Sequence, residues 1–282
     1  MTIGTTLVIG GTGKTGLPLA HLLRDANLPF LVATRHPANA APFKGVAFDW
    51  FDASTFENPF NADPNIDRVY LISPAAHDAL PIVKPFVELA ISKGVKRFVF
   101  LSSTPTPKGS PYLGKIHEYL AERGVDYAIL RPTWFIENFG ATFVPGILSD
   151  NIIATTAKDG RIPFISAKDI ADVAFKALTD EKSHNTEHII VGPELYTYDE
   201  AAALLSDVVG RKITHKRLSD EEGKAFWQSF GLPEEYAQGM LAMEVLVAEG
   251  GEEAHFRSPV KDVGKRHLVD YFKENRDLWI PK

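Results

Sequence analysis

Residues 6–16 read Thr-Leu-Val-Ile-Gly-Gly-Thr-Gly-Lys-Thr-Gly, a short apolar run that breaks into four glycines within seven positions. Gly10, Gly13 and Gly16 carry the spacing G-x-x-G-x-x-G, with Thr12, Lys14 and Thr15 between them. A buried strand that turns into a helix through such a loop can hold a dinucleotide pyrophosphate. Glycine lets the backbone approach the phosphates, the helix start offers N–H groups and a positive dipole end, and the last glycine lets helix and strand pack closely. Gly13-Lys14-Thr15 also looks like the end of a triphosphate-binding loop, but that loop needs glycine five positions before Gly13, where Val8 stands. A second chemical signal follows the next apolar run, where residues 34–37 read Thr-Arg-His-Pro. An NAD-selecting site carries Asp or Glu about twenty residues past the glycines. Here Asp25 falls too early, and Arg35 offers a planar fork suited to a 2′-phosphate. The expected cofactor is NADPH.

The elements that must position these residues are legible as an alternation. Apolar, β-branched runs fall near 6–9, 30–34, 46–48, 68–72, 97–101 and 126–131, with helical segments at 79–93 and 112–123 among them. That pattern predicts a Rossmann-type α/β fold, a parallel sheet with helices on both faces. Ligands of such sheets bind at the carboxyl ends of the strands. The residues there are the glycine loop, Arg35, Asp49, Ser73-Pro74, Ser102-Ser103 and Pro132 to Phe135. Beyond about residue 150 the alternation loosens. A strand–helix unit is expected over 162–178, another over 188–209, a strand over 213–218, and a helix pair over 220–249 broken at Gly231-Leu232-Pro233. The expected organisation is a dinucleotide-binding domain over 1–150 and a smaller substrate lobe over 151–282, interleaved in one compact chain.

Composition narrows the partners. The 282 residues carry a net charge of −6 with no basic tract, so nucleic acid is not an expected ligand. No apolar run is long enough to span a membrane, and the first strand begins too early to leave room for a signal peptide. The absence of cysteine removes disulfides and thiolate chemistry and fits a cytoplasmic location. The nine histidines fall in no metal-ligand spacing, and no metal site is expected.

Several segments together resemble the NmrA-like, atypical short-chain dehydrogenases. They are the glycine loop, Thr-Arg-x-Pro at 34–37, Val-Lys-Arg-Phe-Val-Phe-Leu-Ser-Ser at 95–103, Leu-Arg-Pro-Thr-Trp-Phe-Ile-Glu-Asn-Phe at 130–139, Gly-Arg-Ile-Pro-Phe-Ile-Ser-Ala-Lys-Asp-Ile-Ala at 160–171 and Val-Gly-Pro-Glu-Leu-Tyr-Thr-Tyr-Asp-Glu-Ala at 191–201. Within that group the likeness is to fungal clavine dehydrogenases of ergot alkaloid biosynthesis, and it covers nearly the whole chain. It implies an NADP-dependent oxidoreductase acting on an indole alkaloid, with a serine near the substrate at the end of the fifth strand, Ser102 or Ser103. It leaves a homodimer open.

Standard short-chain dehydrogenases protonate a new alkoxide with a tyrosine assisted by a lysine four residues on. Here Lys115 follows Tyr112 by three, which keeps both on one helical face but departs from that motif. Ser102, Tyr112 and Lys115 are the candidate catalytic residues. Hydride delivery to an iminium carbon turns a cation into a neutral amine, forms no oxyanion and needs no general acid. Such a site needs position and aromatic faces. Pro132 and Trp134 are expected beside the cofactor, and Ser103, Trp134, Phe135, Phe139, Trp227 and Met240 around the substrate. The expected function is NADPH-dependent reduction of an iminium in an indole alkaloid. The alternatives are cofactor-assisted cyclisation and a non-catalytic NADP sensor.

Overall fold

The computed structural model describes residues 4–281 and contains the expected parallel sheet. In chain order its regular elements are β1 (Thr5–Ile9), α1 (Gly16–Asp25), β2 (Phe30–Thr34), β3 (Gly45–Ala47), α2 (Asn58–Ala62), β4 (Ile66–Leu71), α3 (Leu80–Ser92), β5 (Arg97–Leu101), α4 (Leu113–Glu122) and β6 (Asp126–Pro132). They continue with α5 (Val144–Ser149), β7 (Ile152–Thr155), α6 (Ala167–Thr179), β8 (Thr186–Val191), α7 (Tyr198–Val209) and β9 (Thr214–Arg217). The chain closes with α8 (Asp220–Gln228), α9 (Glu234–Ala248), α10 (Gly251–Arg257), β10 (Asp262–Val263) and α11 (Leu268–Glu274).

The sheet order is β3-β2-β1-β4-β5-β6-β8-β10, with parallel pairing from β3 through β6 and between β8 and β10. The order runs outward in both directions from β1 and β4, so the switch point of this doubly wound sheet lies between those strands, next to the glycine loop. Residues of β1 are buried throughout, as a central strand covered on both faces requires.

Backbone contacts divide the chain into two units: residues 1–131 with 167–188, and residues 132–166 with 189–282. The sheet-bearing unit therefore ends its first stretch at Arg131, before residue 150, and takes back a later segment. That segment is α6, which packs on α1, β4 and β5. Arg97 is only 7% exposed and donates to the carbonyls of Ala177, Leu178, Asp180 and Glu181, while Arg68 donates to Leu178 O. Two arginines thus serve the carbonyls that a helix leaves unpaired at its C-terminus. The core on one face of this unit is aromatic at its centre, where Phe86 meets Phe48, Trp50, Phe56 and Phe60.

The second unit has its own core, in which Phe139 packs against Phe143, Phe164, Tyr198 and Phe272, and Trp279 donates its indole N–H to Phe139 O at 2.8 Å. It also carries a two-stranded parallel ribbon of β7 and β9, of which β7 carried no sequence expectation. The strand expected at the start of 162–178 is absent. Ile162 and Ile165 make only isolated bridges, to Tyr196 and Phe135, because Pro163 has no N–H to continue a ladder. The helix pair over 220–249 is present as α8 and α9.

Candidate functional site

The turn after β1 is shaped by close backbone approach. Gly10 sits at φ +69°, where a side chain is strained, and Gly13 N donates to Gly10 O at 2.9 Å. A Cβ on Gly16 would stand 2.3 Å from Gly10 O, so any residue but glycine would push α1 off the loop. A Cβ on Gly13 would touch only Gly10 O, at 3.1 Å, and Gly13 is exposed. The loop therefore keeps Gly16 for packing, and at Gly13 a glycine with one tight backbone neighbour, beyond which lies the space of the cleft.

That space is part of a cleft of about 540 Å³ in the sheet-bearing unit. Gly10, Thr12 and Gly13 form one wall, Thr34, Arg35, His36 and Asn39 follow β2, and Asp49, Trp50 and Phe51 follow β3. Ile72, Ser73, Pro74 and Ala75 follow β4. Every wall is the carboxyl end of a strand, with the volume of a small-molecule site. Of the residues expected at the cofactor, Gly10, Thr12, Gly13, Arg35, Asp49 and Ser73 are brought together here. Lys14 is exposed in the same turn.

Thr15 has another role. It is buried, and Tyr70 of β4 donates its hydroxyl to Thr15 Oγ1 at 2.9 Å. Burial drives the Tyr70 hydroxyl well above its ordinary range of ionisation, so this bond stays a neutral O–H donor. Tyr70 thereby pins the glycine loop, and nothing in the spacing of residues near the loop announced a partner 55 positions away. The Asp49 carboxylate accepts from Phe51 N at 3.0 Å, and Asp49 N donates to Thr55 Oγ1, so Asp49 organises its own turn as well as lining the cleft.

The expected catalytic residues lie at the ends of β5 and the start of α4. Ser102 is buried, with its Oγ 2.9 Å from Thr106 Oγ1, and Ser103 Oγ is 3.1 Å from the same hydroxyl. Buried Arg131 donates to Ser103 O and Thr104 O and pairs with Glu187 at 2.9 Å, fixing this turn from beneath. Tyr112 caps α4 at φ 62°, ψ −121°, a strained conformation for a tyrosine, and its ring meets that of His77 edge-on at 4.8 Å between centroids. The expected pairing of Lys115 with Tyr112 is not what its ammonium does. Lys115 Nζ lies 2.8 Å from Asp78 Oδ2 and holds that carboxyl below its ordinary range. Sequence reasoning missed Asp78 and His77, because both lie in the turn after β4 and reach Lys115 and Tyr112 only once β4 and β5 are neighbours.

The remaining expected residues belong to the second unit or to its border. Pro132 is buried, and next to it Thr133 donates to Pro163 O at 2.6 Å. Trp134 and Phe135 are half-buried, as is Met240 on α9. Phe139 is 0% exposed inside the aromatic core, which corrects its expected place in a pocket wall to a packing role. Trp227 is buried too, with rings of Phe226 and Phe230 against it and its indole directed at the Glu244 carboxyl. Nearby in the same unit Glu244 is fully buried; its Oε2 accepts from Thr156 N and Thr156 Oγ1, and burial pushes its carboxyl up. Among the described residues no cluster suited to a metal ion occurs, and no helix is long and apolar enough to cross a membrane.

A doubly wound parallel sheet with a glycine turn at its switch point defines the class as a Rossmann-type fold. Its architecture matches an NADPH-dependent quinone oxidoreductase of Escherichia coli with a TM-score of 0.76 at 22% identity, covering 95% of this chain and 99% of that one. The model of the NmrA-like family matches residues 2–271, and the chain belongs to that family. It is 41% identical over 286 residues to agroclavine dehydrogenase of Claviceps fusiformis, covering 98% of this chain and 99% of that protein. It is 40% identical to festuclavine synthase II of Penicillium roqueforti over the same length, covering 98% and 99%.

Proposed function

We propose that this chain is an NADPH-dependent reductase that delivers hydride to the iminium carbon of an indole-alkaloid intermediate. The observation that carries the choice of iminium over carbonyl is the engagement of Lys115 with Asp78 at 2.8 Å, which leaves Tyr112 without the lysine of a proton relay. Reduction of a carbonyl generates an alkoxide that must be protonated, whereas reduction of an iminium ends in a neutral amine without one.

The cofactor reading rests on the cleft. Gly13 lines the cleft without a side chain where a pyrophosphate would lie against the turn, and exposed Arg35 stands in the same cleft with its fork available to a 2′-phosphate. When bound, the dinucleotide supplies the hydride. The protein's part is to hold the phosphates with the backbone of the glycine turn, to fix the ribose with Arg35, and to orient the acceptor. We assign acceptor contacts within the sheet-bearing unit to Ser102 and Ser103 at the end of β5. Within the second unit Trp134, Phe135 and Met240 are each half-buried, and aromatic faces and a thioether suit a flat cation, which they attract without forming a covalent bond. The names of the relatives, agroclavine dehydrogenase and festuclavine synthase, support a clavine-type alkaloid as the acceptor.

The test is turnover of an open-chain clavine amino aldehyde, which closes with loss of water to the cyclic iminium, with NADPH carrying deuterium at the transferable position. Loss of the nicotinamide absorbance together with one deuterium in the product amine supports reduction. Ring closure without deuterium incorporation would replace it with cofactor-assisted cyclisation.

A further inference from the structure

One aromatic side chain in the sheet-bearing unit is placed against the usual logic of folding. Phe48, Trp50, Phe51 and Phe56 lie within nine residues after β3, and three of them pack into the aromatic core around Phe86. Phe51 is instead 74% exposed, and it lines the cleft. Its position is fixed by the turn that carries it. Phe51 N donates to Asp49 Oδ1 at 3.0 Å, Asp52 N to Asp49 O at 3.2 Å, and Ser54 N to Asp52 Oδ1 at 3.0 Å. On its other side Trp50 anchors the turn by donating its indole N–H to Ile72 O at 3.0 Å. A ring of this size held out of the core by a rigid turn makes a flat apolar platform.

The order of strands says what the platform faces. The cleft walls run from the glycine turn after β1, to Arg35 after β2, to Phe51 after β3, and these strands are neighbours in that sequence. Thr34, which precedes Arg35, lies opposite Ala47 in the register of β2 and β3. A ligand with its pyrophosphate on the first turn and its ribose phosphate on the second therefore directs its purine base toward the third.

We infer that Phe51 is the stacking platform for the adenine of the dinucleotide and contributes to affinity for NADPH and NADH alike. The inference rests on the cofactor reading proposed above. It separates two tasks within one cleft: Arg35 distinguishes the two dinucleotides, and Phe51 holds the base they share. Stacking of a base on an aromatic side chain is tolerant of substituents elsewhere on the ligand.

The experiment titrates wild type, Phe51→Ala, Phe51→Leu, Phe51→Trp and Arg35→Ala with NADPH, with NADH and with reduced nicotinamide mononucleotide, which has no adenosine. Phe51→Ala is expected to weaken both dinucleotides by about tenfold and to leave the mononucleotide unchanged. Phe51→Leu should recover only part of that loss, and Phe51→Trp should keep the affinity and show indole quenching on NADPH addition. Arg35→Ala should weaken NADPH alone. Equal dinucleotide affinities in wild type and Phe51→Ala, or a loss that extends to the mononucleotide, would overturn the platform while wild-type NADPH binding keeps the cofactor reading. If wild type binds neither dinucleotide, the cofactor reading fails and takes the platform with it.

Discussion

The turn after β1 and the turns after β4 and β5 occupy equivalent places in one sheet, yet they are built in opposite ways. The first works by leaving side chains out: Gly10 takes a positive φ, Gly16 admits no Cβ, and Gly13 opens onto the cleft. The others work by tying side chains to one another: Ser102 and Ser103 to Thr106, Lys115 to Asp78, Tyr112 to His77. A phosphate is recognised by N–H groups that any sequence possesses, so its site depends on what is missing. Reaction geometry depends on which side chains meet, and that can be altered by changing a single pair.

The largest effect expected from this contrast is on the glycine turn. Gly13→Val should weaken NADPH binding by about 10³-fold, the loss of two charged hydrogen bonds of ~2 kcal/mol each, with an unchanged far-ultraviolet circular dichroism spectrum. Calorimetric titration giving wild-type affinity would erase the distinction between the two kinds of turn. Next in size is Arg35→Ala, which should cost NADPH roughly thirtyfold in affinity and leave NADH unchanged. Equal losses for both dinucleotides would show that Arg35 supports the fold of its turn and does not read the 2′-phosphate.

Smaller effects are expected where side chains are tied together. Tyr112→Phe and Lys115→Met should each lower turnover of an iminium by less than ~10-fold, whereas removing a true general acid costs at least ~10²-fold. A steep, pH-dependent collapse in Tyr112→Phe with cofactor binding intact would move the chemistry back to carbonyl reduction. The smallest effect extends the contrast to a buried side chain with no assigned role in binding. Glu244 has its pKa raised by burial, so the folded state holds a proton that the unfolded state releases. Stability should therefore decline as pH rises above the ordinary value of 4.5 until the folded-state pKa is passed. Glu244→Gln keeps an acceptor for Thr156 and removes the titration, so its melting temperature should lose that decline, with about 2 °C for each kcal/mol recovered at neutral pH. Parallel melting curves of the two proteins between pH 5 and about pH 8 would refute this account of Glu244.

The sheet and its first six strands were legible because apolar periodicity and glycine spacing are local signals. The cleft residues Gly10, Thr12, Gly13, Arg35, Asp49 and Ser73 were legible for a related reason: each follows a strand, and the fold brings strand ends together. What local reading could not supply were partners set by topology. Tyr70 meets Thr15 and Asp78 meets Lys115 across separations of 55 and 37 residues, and both pairings depend on the order of strands. The β7–β9 ribbon was missed in part because β7 spans only Ile152–Thr155 and sits far from its partner in sequence. Phe139 was misplaced because an aromatic just past a strand end reads alike whether it turns toward a ligand or into a core. Only contact with Phe143, Phe164, Tyr198 and Phe272 decides.

The return of α6 to the sheet-bearing unit has a consequence for synthesis. Arg97 and Arg68 sit on strands made early, but the carbonyls they serve lie at 177–181. A nascent chain that has delivered β1 to β6 still lacks the helix that covers α1, and its Arg68 and Arg97 have Asp67 and Asp126 beside them but not the helix-end carbonyls they serve. The ribosome must add some fifty residues beyond Arg131, most of them destined for the other unit, before this sheet can close. The order of synthesis thus makes the half that holds the glycine turn wait for part of the other, and a fragment cut at residue 150 should behave as a chain interrupted during folding.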